Sequence, residues 1–320
     1  MNPVGADHWE VVVVGGSAAG LSAALTLGRA RRRTLVLDTG TPRNRFADHM
    51  HGVLGNEGVS PEDLIGRGRA ECSSYGVVFD DVEVQTVREA PRTPDGGPQR
   101  LQVELTDGRH LETRALIAAS GVTDLLPEVP GLAPRWGKTV AHCPYCHGLE
   151  FADGRIGVLG FSPAGLHQAE LLRQWTDQLT LFSAGMGELD LEQVLRLESR
   201  GVAIEPSPVE QIRGEPDGVA EVVLANSETH EFDALFTASQ MRPNDSYLDE
   251  LALERNDSPF GGNYIAADAT GKTSHQQVWV AGNINQAPAN VSISIAAGSY
   301  AGGMCNLALT SEDFDIAQEL

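Results

Sequence analysis

The chain has 320 residues, of which 41% are hydrophobic and 21% charged, a composition typical of a soluble globular protein long enough for two domains. Its 44 acidic residues outnumber its 23 basic ones, so the formal net charge is -21. Such a surface repels phosphate backbones and anionic lipids, and we therefore expect neither nucleic acid nor a membrane as a partner.

The N-terminal segment indicates no export. Met1 to Glu10 lack the basic residues of a signal peptide, and the apolar stretch that follows is broken by Gly15, Gly16 and Gly20. Neither a signal peptide nor a membrane span is expected. We predict a reducing cytoplasm, where the four cysteines would not form a structural disulfide framework.

The first predicted elements form one βαβ unit. An apolar, β-branched strand at 10–14 ends in the glycine turn 15–20, and a helix with apolar spacing runs from Leu21 to about Arg31. A second strand, 34–37, ends in Asp38. This order is typical of a dinucleotide-binding fold, in which helix N–H groups meet a pyrophosphate and the acid accepts from a ribose hydroxyl. The candidate cofactor-binding residues here are Gly15, Gly16, Ser17, Ala18, Ala19, Gly20 and Asp38.

A second copy of this pattern predicts a second domain. It has a strand at 156–159, a turn at 160–165, a helix at 166–175 and a strand at 179–182. The predicted fold is therefore α/β with two Rossmann-like dinucleotide-binding domains. A first domain in two parts, 1–121 and 245–320, surrounds a second domain, 122–244, that carries a cysteine pair.

The closing part of the first predicted domain begins with a strand and ends with a helix. The strand starts at Val278 and runs into a glycine turn at Gly282, and a helix of small residues follows from Val291 to Asn306.

The second nucleotide turn lacks the residues that hold a nicotinamide cofactor. Serine stands at its middle glycine position, and its second strand ends at Ser183-Ala184-Gly185, with neither an acid for a ribose nor an arginine for a 2′-phosphate. This departure argues against the use of NADPH or NADH.

The cysteine pair is Cys143-Pro144-Tyr145-Cys146, flanked by His142 and His147. The spacing brings two sulfurs within bonding reach, and imidazoles can lower the pKa of a thiol and carry protons near neutral pH. The string also satisfies the haem-attachment pattern, which requires export, and it could supply zinc ligands, although Cys72 and Cys305 provide no second pair. Redox chemistry fits best beside a dinucleotide unit, and no metal is predicted.

In this order of motifs the chain resembles the low-molecular-weight thioredoxin reductase family over nearly its full length. The motifs are the first glycine turn, the crossover 116–121, the cysteine pair, the second Rossmann unit and the closing Val280-Ala281-Gly282-Asn283. More narrowly, the segments 143–148 and 38–44 are similar to the dithiol oxidase branch, which includes the gliotoxin- and holomycin-forming enzymes. His147 stands where the family reductases carry an acidic aspartate.

The resemblance implies that the two-part domain 1–121 and 245–320 binds FAD and that the inserted domain 122–244 is NAD(P)-binding-like. It also implies roles for individual residues. Cys146 faces the flavin, Cys143 exchanges with the substrate, and His147 is the acid–base catalyst, with His142 as a second candidate. Asn283 replaces the aspartate that holds the flavin's ribityl chain, and Ala289-Asn290 replaces an Arg-Gln pair. Further expected cofactor contacts are Arg43, Asn44, Gly121, Gly282, Asn290 and Val291.

The sequence therefore predicts an FAD-dependent thiol–disulfide oxidoreductase that oxidises a dithiol with oxygen. The expected partner is a small-molecule dithiol or a thioredoxin-like protein, and the resemblance implies a homodimer. An NAD(P)H-dependent reductase, a reductase fed by ferredoxin, and a flavin-binding redox sensor remain open as alternatives.

Overall fold

A computed structural model describes residues 8–91, 98–258 and 261–319. The first seven residues, on which part of the signal-peptide prediction depends, lie outside this range. The chain divides into two compact units. Unit 1 comprises 1–45, 61–123 and 241–320, and unit 2 comprises 46–60 and 124–240.

Unit 1 is built on a seven-stranded sheet. Its strands, in chain order, are β1 (His8–Val14), β2 (Thr34–Leu37), β3 (Val78–Asp80), β4 (Val84–Glu89), β5 (Leu101–Leu105), β6 (His110–Ala118) and β19 (Val278–Val280). The order is β3-β2-β1-β6-β5-β4, and β19 also pairs with β6. The strands β3, β2, β1, β6 and β19 are parallel, whereas β4 and β5 pair antiparallel. The helices of unit 1 are α1 (Ala18–Arg29), α2 (Pro61–Ser74) and α6 (Val291–Glu319).

The valine run of β1 is buried on both faces of the sheet, which explains its lack of polar residues. Val11 and Val13 pack with Leu27 of α1 and Leu309 of α6. Val12 and its neighbour Val14 point to the opposite face, into a core that includes strands β4 and β5. Alternate side chains of one strand thus serve two cores.

Unit 2 contains a five-stranded parallel sheet with the order β11-β10-β9-β15-β8. In chain order these strands are β8 (Val140–Ala141), β9 (Ile156–Leu159), β10 (Leu179–Phe182), β11 (Ala203–Glu205) and β15 (Ala234–Thr237). An antiparallel sheet consists of β12 (Val209–Arg213), β13 (Ala220–Leu224) and β14 (Thr229–Phe232). The helices are α3 (Pro144–His147), α4 (Ala164–Leu172) and α5 (Leu191–Glu198).

Two further pairs complete the strands. The segments that connect the units, β7 (Val122–Leu125) and β16 (Gln240–Pro243), pair with each other. In unit 1, β17 (Arg255–Asp257) pairs antiparallel with β18 (Asn263–Ile265). No helix among the described residues is long and apolar enough to cross a membrane.

The predicted strands at 34–37, 156–159 and 179–182 have the predicted bounds, whereas the helix bounds differ. Helix α1 begins at Ala18 rather than Leu21 and ends at Arg29, because Arg31 has a left-handed φ of 64°. Helix α6 continues well past Asn306 to Glu319. Its last turns stay on unit 1 because Arg114 pairs with the carboxylates of Glu312 and Asp313.

One segment differs from the sequence-based division of the chain. The residues 46–60 lie within the predicted FAD-binding domain 1–121, but they pack in unit 2. Within this segment Met50 and Val53 are buried, and His51 contacts Glu150. Such long-range contacts leave no periodic signal in a loop sequence.

Candidate active site

The cysteine pair lies at the carboxyl edge of the parallel sheet in unit 2. Strand β8 ends at Ala141, which is in register with Phe236 of β15, so the chain leaves the edge of the sheet immediately before Cys143. The turn after β9 emerges at the same edge, because Leu159 is in register with Thr237 of the same strand β15. Ligand sites of open α/β sheets lie at this edge.

One turn of helix holds the two sulfurs together. Cys143 precedes α3 with an extended backbone, and its carbonyl accepts the N–H of Cys146 at 3.1 Å. Both residues are half-buried thiols, and their Sγ atoms lie 2.6 Å apart. Pro144 occupies the first helical position, where the N–H that proline lacks would have no partner within the helix, and its ring fixes φ for the turn. The arrangement can cycle between a dithiol and a disulfide with little movement of the backbone.

His147 is the last residue of α3 and is partly buried. Burial is the largest influence on its imidazole and lowers its pKa, whereas the nearby Glu150 carboxylate raises it. The Nδ1 atom is buried and makes no hydrogen bond with the described residues. A half-buried imidazole one residue after Cys146 is suited to exchange a proton with a thiol near neutral pH.

His142 is fixed by a residue that sequence analysis did not identify. Its backbone carbonyl accepts from Gln168 Nε2 at 2.6 Å, and Gln168 is 5% exposed on α4. The bond anchors the strand end that leads into the cysteine pair. The ring of His142 is half-buried, and its proposed catalytic role stays a prediction.

One aromatic side chain, that of Trp175, packs against Tyr145 and Gly148 in the segment of the cysteine pair. Tyr145, between the cysteines, is 72% exposed and makes an edge contact with Trp175 at 6.1 Å between ring centroids. A Cβ on Gly148 would lie 2.9 Å from the Trp175 ring, so only glycine fits there. Among the described residues, the ligand atoms of the two cysteines and their flanking histidines do not converge within 4.8 Å as those of a metal site would.

A second group that sequence analysis missed lies in the segment 46–60. His51 contacts Glu57 at 2.7 Å and Glu150 at 3.2 Å. The histidine pair at 49 and 51 was the available signal, since histidines in a polar loop are candidates for proton transfer. Nothing in the sequence placed that loop beside Glu150.

In unit 1 the first glycine turn fits a dinucleotide. Gly15 has φ +103°, and a Cβ on Gly20 would lie 1.8 Å from the Gly15 carbonyl oxygen. A Cβ on Gly16 would lie 2.6 Å from Asp38 Oδ2, so the carboxylate reaches the turn where a ribose binds. Ser17 makes no side-chain cap to α1, which leaves the N–H groups of Ala18, Ala19 and Gly20 without a capping side chain. Arg69 lies 3.6 Å from Asp38.

Three other expected cofactor residues lie at chain turns of unit 1. Gly121 and Gly282 have φ values of +68° and +82°, which side chains rarely adopt. The carbonyl of Gly121 accepts the N–H of Asn244 at 3.0 Å. Asn283 donates from Nδ2 to the carbonyls of Ala287 and Ala289, so its amide shapes the loop ahead of α6.

The remaining expected contacts are distributed differently. Asn290 precedes α6, and its Oδ1 accepts the N–H of Ile293 at 2.9 Å, a helix-capping bond. Val291 is the first residue of that helix. Arg43 and Asn44 lie in a half-exposed turn that follows Asp38. Their cofactor contacts stay predictions.

The second glycine turn, after β9, differs from the first in what covers it. The sulfur of Met186 lies 2.7 Å from the place of a Cβ on Gly160 and 3.1 Å from one on Gly165. Met186 ends a 3₁₀ turn over Ala184–Met186 that directly follows Ser183. A thioether thus packs beside the first and last glycines of the second turn, whereas the carboxylate of Asp38 lies beside Gly16 of the first.

These features agree with what known proteins show. The model of the pyridine nucleotide-disulphide oxidoreductase family matches residues 9–298. The chain belongs to that family. Family membership implies a flavin cofactor and an oxidoreductase acting on sulfur.

Individual relatives confirm the predicted thioredoxin reductase-like fold. The crystal structure of HlmI is 39% identical, with a TM-score of 0.90 over 98% of this chain and 96% of its own. Thioredoxin reductase tcpT of Claviceps purpurea is 28% identical over 311 residues, covering 95% of each chain. A probable thioredoxin reductase of Arthroderma benhamiae is 35% identical over 162 residues, which are 49% of this chain and 39% of that protein.

Proposed function

We propose that the protein is an FAD-dependent dithiol oxidase that converts a dithiol to a disulfide and passes the electrons to molecular oxygen. The observation that carries this proposal is the side chain of Met186 at the second glycine turn. An NAD(P)H-dependent reductase must accept hydride from a nicotinamide dinucleotide, whereas an oxidase has no need of that site.

The contrast between the two turns supports the absence of a nicotinamide donor. A dinucleotide requires close approach to the glycine backbone and a polar anchor for its ribose. In unit 2 the Met186 thioether packs near both Gly160 and Gly165, and the residues 183–185 carry no charge. In unit 1 the residue that directly follows the second strand is Asp38, and its carboxylate lies beside Gly16 of the first turn.

The reaction at the cysteine pair is a balanced exchange. One substrate thiolate attacks the Cys143 sulfur of the disulfide, the sulfur–sulfur bond breaks, and Cys146 leaves as a thiolate. The second substrate sulfur then attacks the first, Cys143 leaves, and the product disulfide forms. The two protons of the substrate thiols pass to the enzyme, and His147 carries them between the sulfurs.

The first glycine turn is the part of the chain that would hold FAD. Helix α1 offers its N-terminal N–H groups to the pyrophosphate, and Asp38 offers its carboxylate to the ribose. Bound there, FAD supplies a two-electron carrier between the reduced pair and oxygen. Overall, one dithiol and one oxygen molecule give one disulfide and one hydrogen peroxide.

Anaerobic titration of the purified flavoprotein tests this assignment. We expect dithiothreitol to bleach the flavin, NADPH and NADH to leave it oxidised, and air to restore it. With oxygen present, peroxide should form in equal amount to the dithiol consumed, and Cys143→Ser should abolish turnover. Stoichiometric flavin reduction by NADPH or NADH would refute the oxidase assignment.

A second candidate is an NAD(P)H-dependent disulfide reductase. It is favoured by the names of the relatives, since tcpT and the Arthroderma protein are both described as thioredoxin reductases. This function predicts flavin bleaching by a nicotinamide cofactor and consumption of that cofactor when a disulfide is added. The same titration therefore distinguishes the two.

A further inference from the structure

His51 is a partly buried histidine beside the cysteine pair that the exchange reaction leaves without a role. Its Nδ1 lies 2.7 Å from Glu57 Oε1, and its Nε2 lies 3.2 Å from Glu150 Oε1. Glu57 is itself held, because its second oxygen accepts the N–H of Gly52 at 2.9 Å. Both ring nitrogens of His51 thus face carboxylates, and the ring orientation is fixed.

Glu150 connects this histidine to the chemistry. It follows His147 by three residues, and the two side chains interact electrostatically. Burial lowers the pKa of His147, the Glu150 charge raises it, and the charge of His51 lowers it. The buried Nδ1 of His147 accepts or donates no hydrogen bond among the described residues. No hydrogen bond at that atom therefore adds to the effect of the two charges on the pKa of His147.

We propose that His51 is a positioning residue for the acid–base catalyst His147: it holds the Glu150 carboxylate and offsets its charge, and so sets how readily His147 takes a proton. The inference rests on the proposed function, since it takes His147 as the group that exchanges protons with the thiols. Glu57 acts one step further out, by fixing the ring of His51.

The groups around His147 support this assignment. The cysteine segment that contains His147 supplies the thiols of Cys143 and Cys146, and the segment 46–60 supplies His51 with Glu57.

Helix α4 contributes no unpaired charge near His147. Its residue Gln168 is uncharged and donates to the carbonyl of His142. The titratable residues of α4 serve another pair, since Glu170 interacts with His167 and forms a salt bridge with Arg196. Among the described residues, Glu150 and His51 are therefore the charged groups that act on the pKa of His147, in opposite directions.

Histidine-selective NMR titration of the dithiothreitol-reduced holoprotein tests the proposal, with His147→Gln used for assignment. In His51→Gln the Glu150 charge is no longer offset, so the pKa of His147 should rise by on the order of half a unit to one unit. In Glu150→Gln it should fall. Glu57→Gln, at an exposed carboxylate, should move it in the same direction as His51→Gln but by less.

A matched control is His230→Gln, which removes another histidine of unit 2 that lies 3.9 Å from a glutamate, Glu228. It should leave the His147 titration unchanged. The pH profile of alkylation of the reduced cysteine pair by iodoacetamide should shift in His51→Gln and not in the control.

Two different results would overturn the role of His51 and the proposed oxidase function. If His51→Gln and Glu57→Gln both retain FAD and the wild-type melting temperature yet His147 titrates as before, the inference is overturned. If wild-type protein fails to oxidise dithiols in air, the proposed function is overturned while the titration still decides the role of His51.

Discussion

Single residues decide how closely the chain can approach a cofactor. At Gly20 a side chain would collide with the carbonyl oxygen of Gly15, and at Gly16 it would meet Asp38. The sequence pattern predicted these glycines because their spacing after a buried strand is characteristic of nucleotide turns. His51 escaped prediction, since its role depends on Glu150, about a hundred residues away in the chain.

Gly20→Ala should therefore lose FAD. The added Cβ would lie 1.8 Å from a backbone oxygen, so the turn must shift and the pyrophosphate loses its N–H donors. We expect the flavin content of the purified protein to fall at least about tenfold, a cost of about 1.4 kcal/mol or more in binding, measured by absorbance after release.

The control for this change is Gly66→Ala in helix α2. A Cβ there meets nothing within 4 Å. It should keep full flavin content and gain about 0.5–1 kcal/mol of stability from the better helix propensity. Equal flavin content in the two variants would show that the turn does not hold the cofactor.

Among the elements, the antiparallel sheet of unit 2 is held by a buried cation. Arg135 is 1% exposed and donates to Thr139 Oγ1 and to the carbonyls of Gly218 and Arg213 at 2.8–3.0 Å. Burial lowers the pKa of Arg135. These carbonyls flank the turn between β12 and β13, and the guanidinium takes the place of water as their donor.

Arg135→Met should destabilise unit 2 strongly. The side chain is of similar length, but the buried carbonyls lose their donor, at a cost of about 3 kcal/mol. Urea unfolding followed by tryptophan fluorescence should show this as a lower midpoint. The control, Lys138→Met, breaks an exposed ion pair with Asp217 and should cost about 1 kcal/mol or less. Similar midpoints for the two variants would contradict the role of Arg135.

Across the whole molecule, negative charge dominates. Even if each of the 23 basic residues paired with one acid, 44 − 23 = 21 acids would remain unpaired. Self-repulsion at neutral pH therefore opposes the compact state, while local pairs such as Asp313 with Arg32 and Arg114 favour it. Burial by itself raises the pKa of Asp313, but the hydrogen bonds and charges of these two arginines together outweigh it and lower the pKa below its usual value.

The effect of salt on the melting temperature should consequently depend on pH. At pH 7, raising sodium chloride from low to about 0.5 M should raise the melting temperature, because the repulsion is screened. Near the pI of about 4.7 the same salt should have little effect. Differential scanning calorimetry measures both, and a lower melting temperature in salt at pH 7 would show that local ion pairs outweigh the repulsion.

The lowered pKa of Asp313 predicts part of the way in which the free energy of unfolding falls at acid pH. Because the folded pKa of Asp313 is lowered, its contribution is complete above the unfolded value and is lost as the pH falls through the folded one. Asp313→Asn should therefore remove part of the loss of stability that we expect below about pH 4. If the melting temperature of this variant falls with acid pH as steeply as that of the wild type, the loss of stability comes from other carboxylates.

The sequence by itself determined the two βαβ units, the parallel sheets and the close approach of the Cys143 and Cys146 sulfurs. Each rests on local rules, since hydrophobic periodicity, glycine positions and the Cys-x-x-Cys spacing act within a few residues along the chain. The homodimer, the substrate and the cytoplasmic location stay predictions from the sequence.

Only the tertiary structure decided what surrounds those motifs. The segment 46–60 lies in unit 2, where His51 contacts Glu150, and Met186 packs beside Gly160 and Gly165 of the second glycine turn. Such contacts join residues that are distant in the chain, and their energies come from burial and charge at one place in space. A pattern along the sequence carries no record of that place.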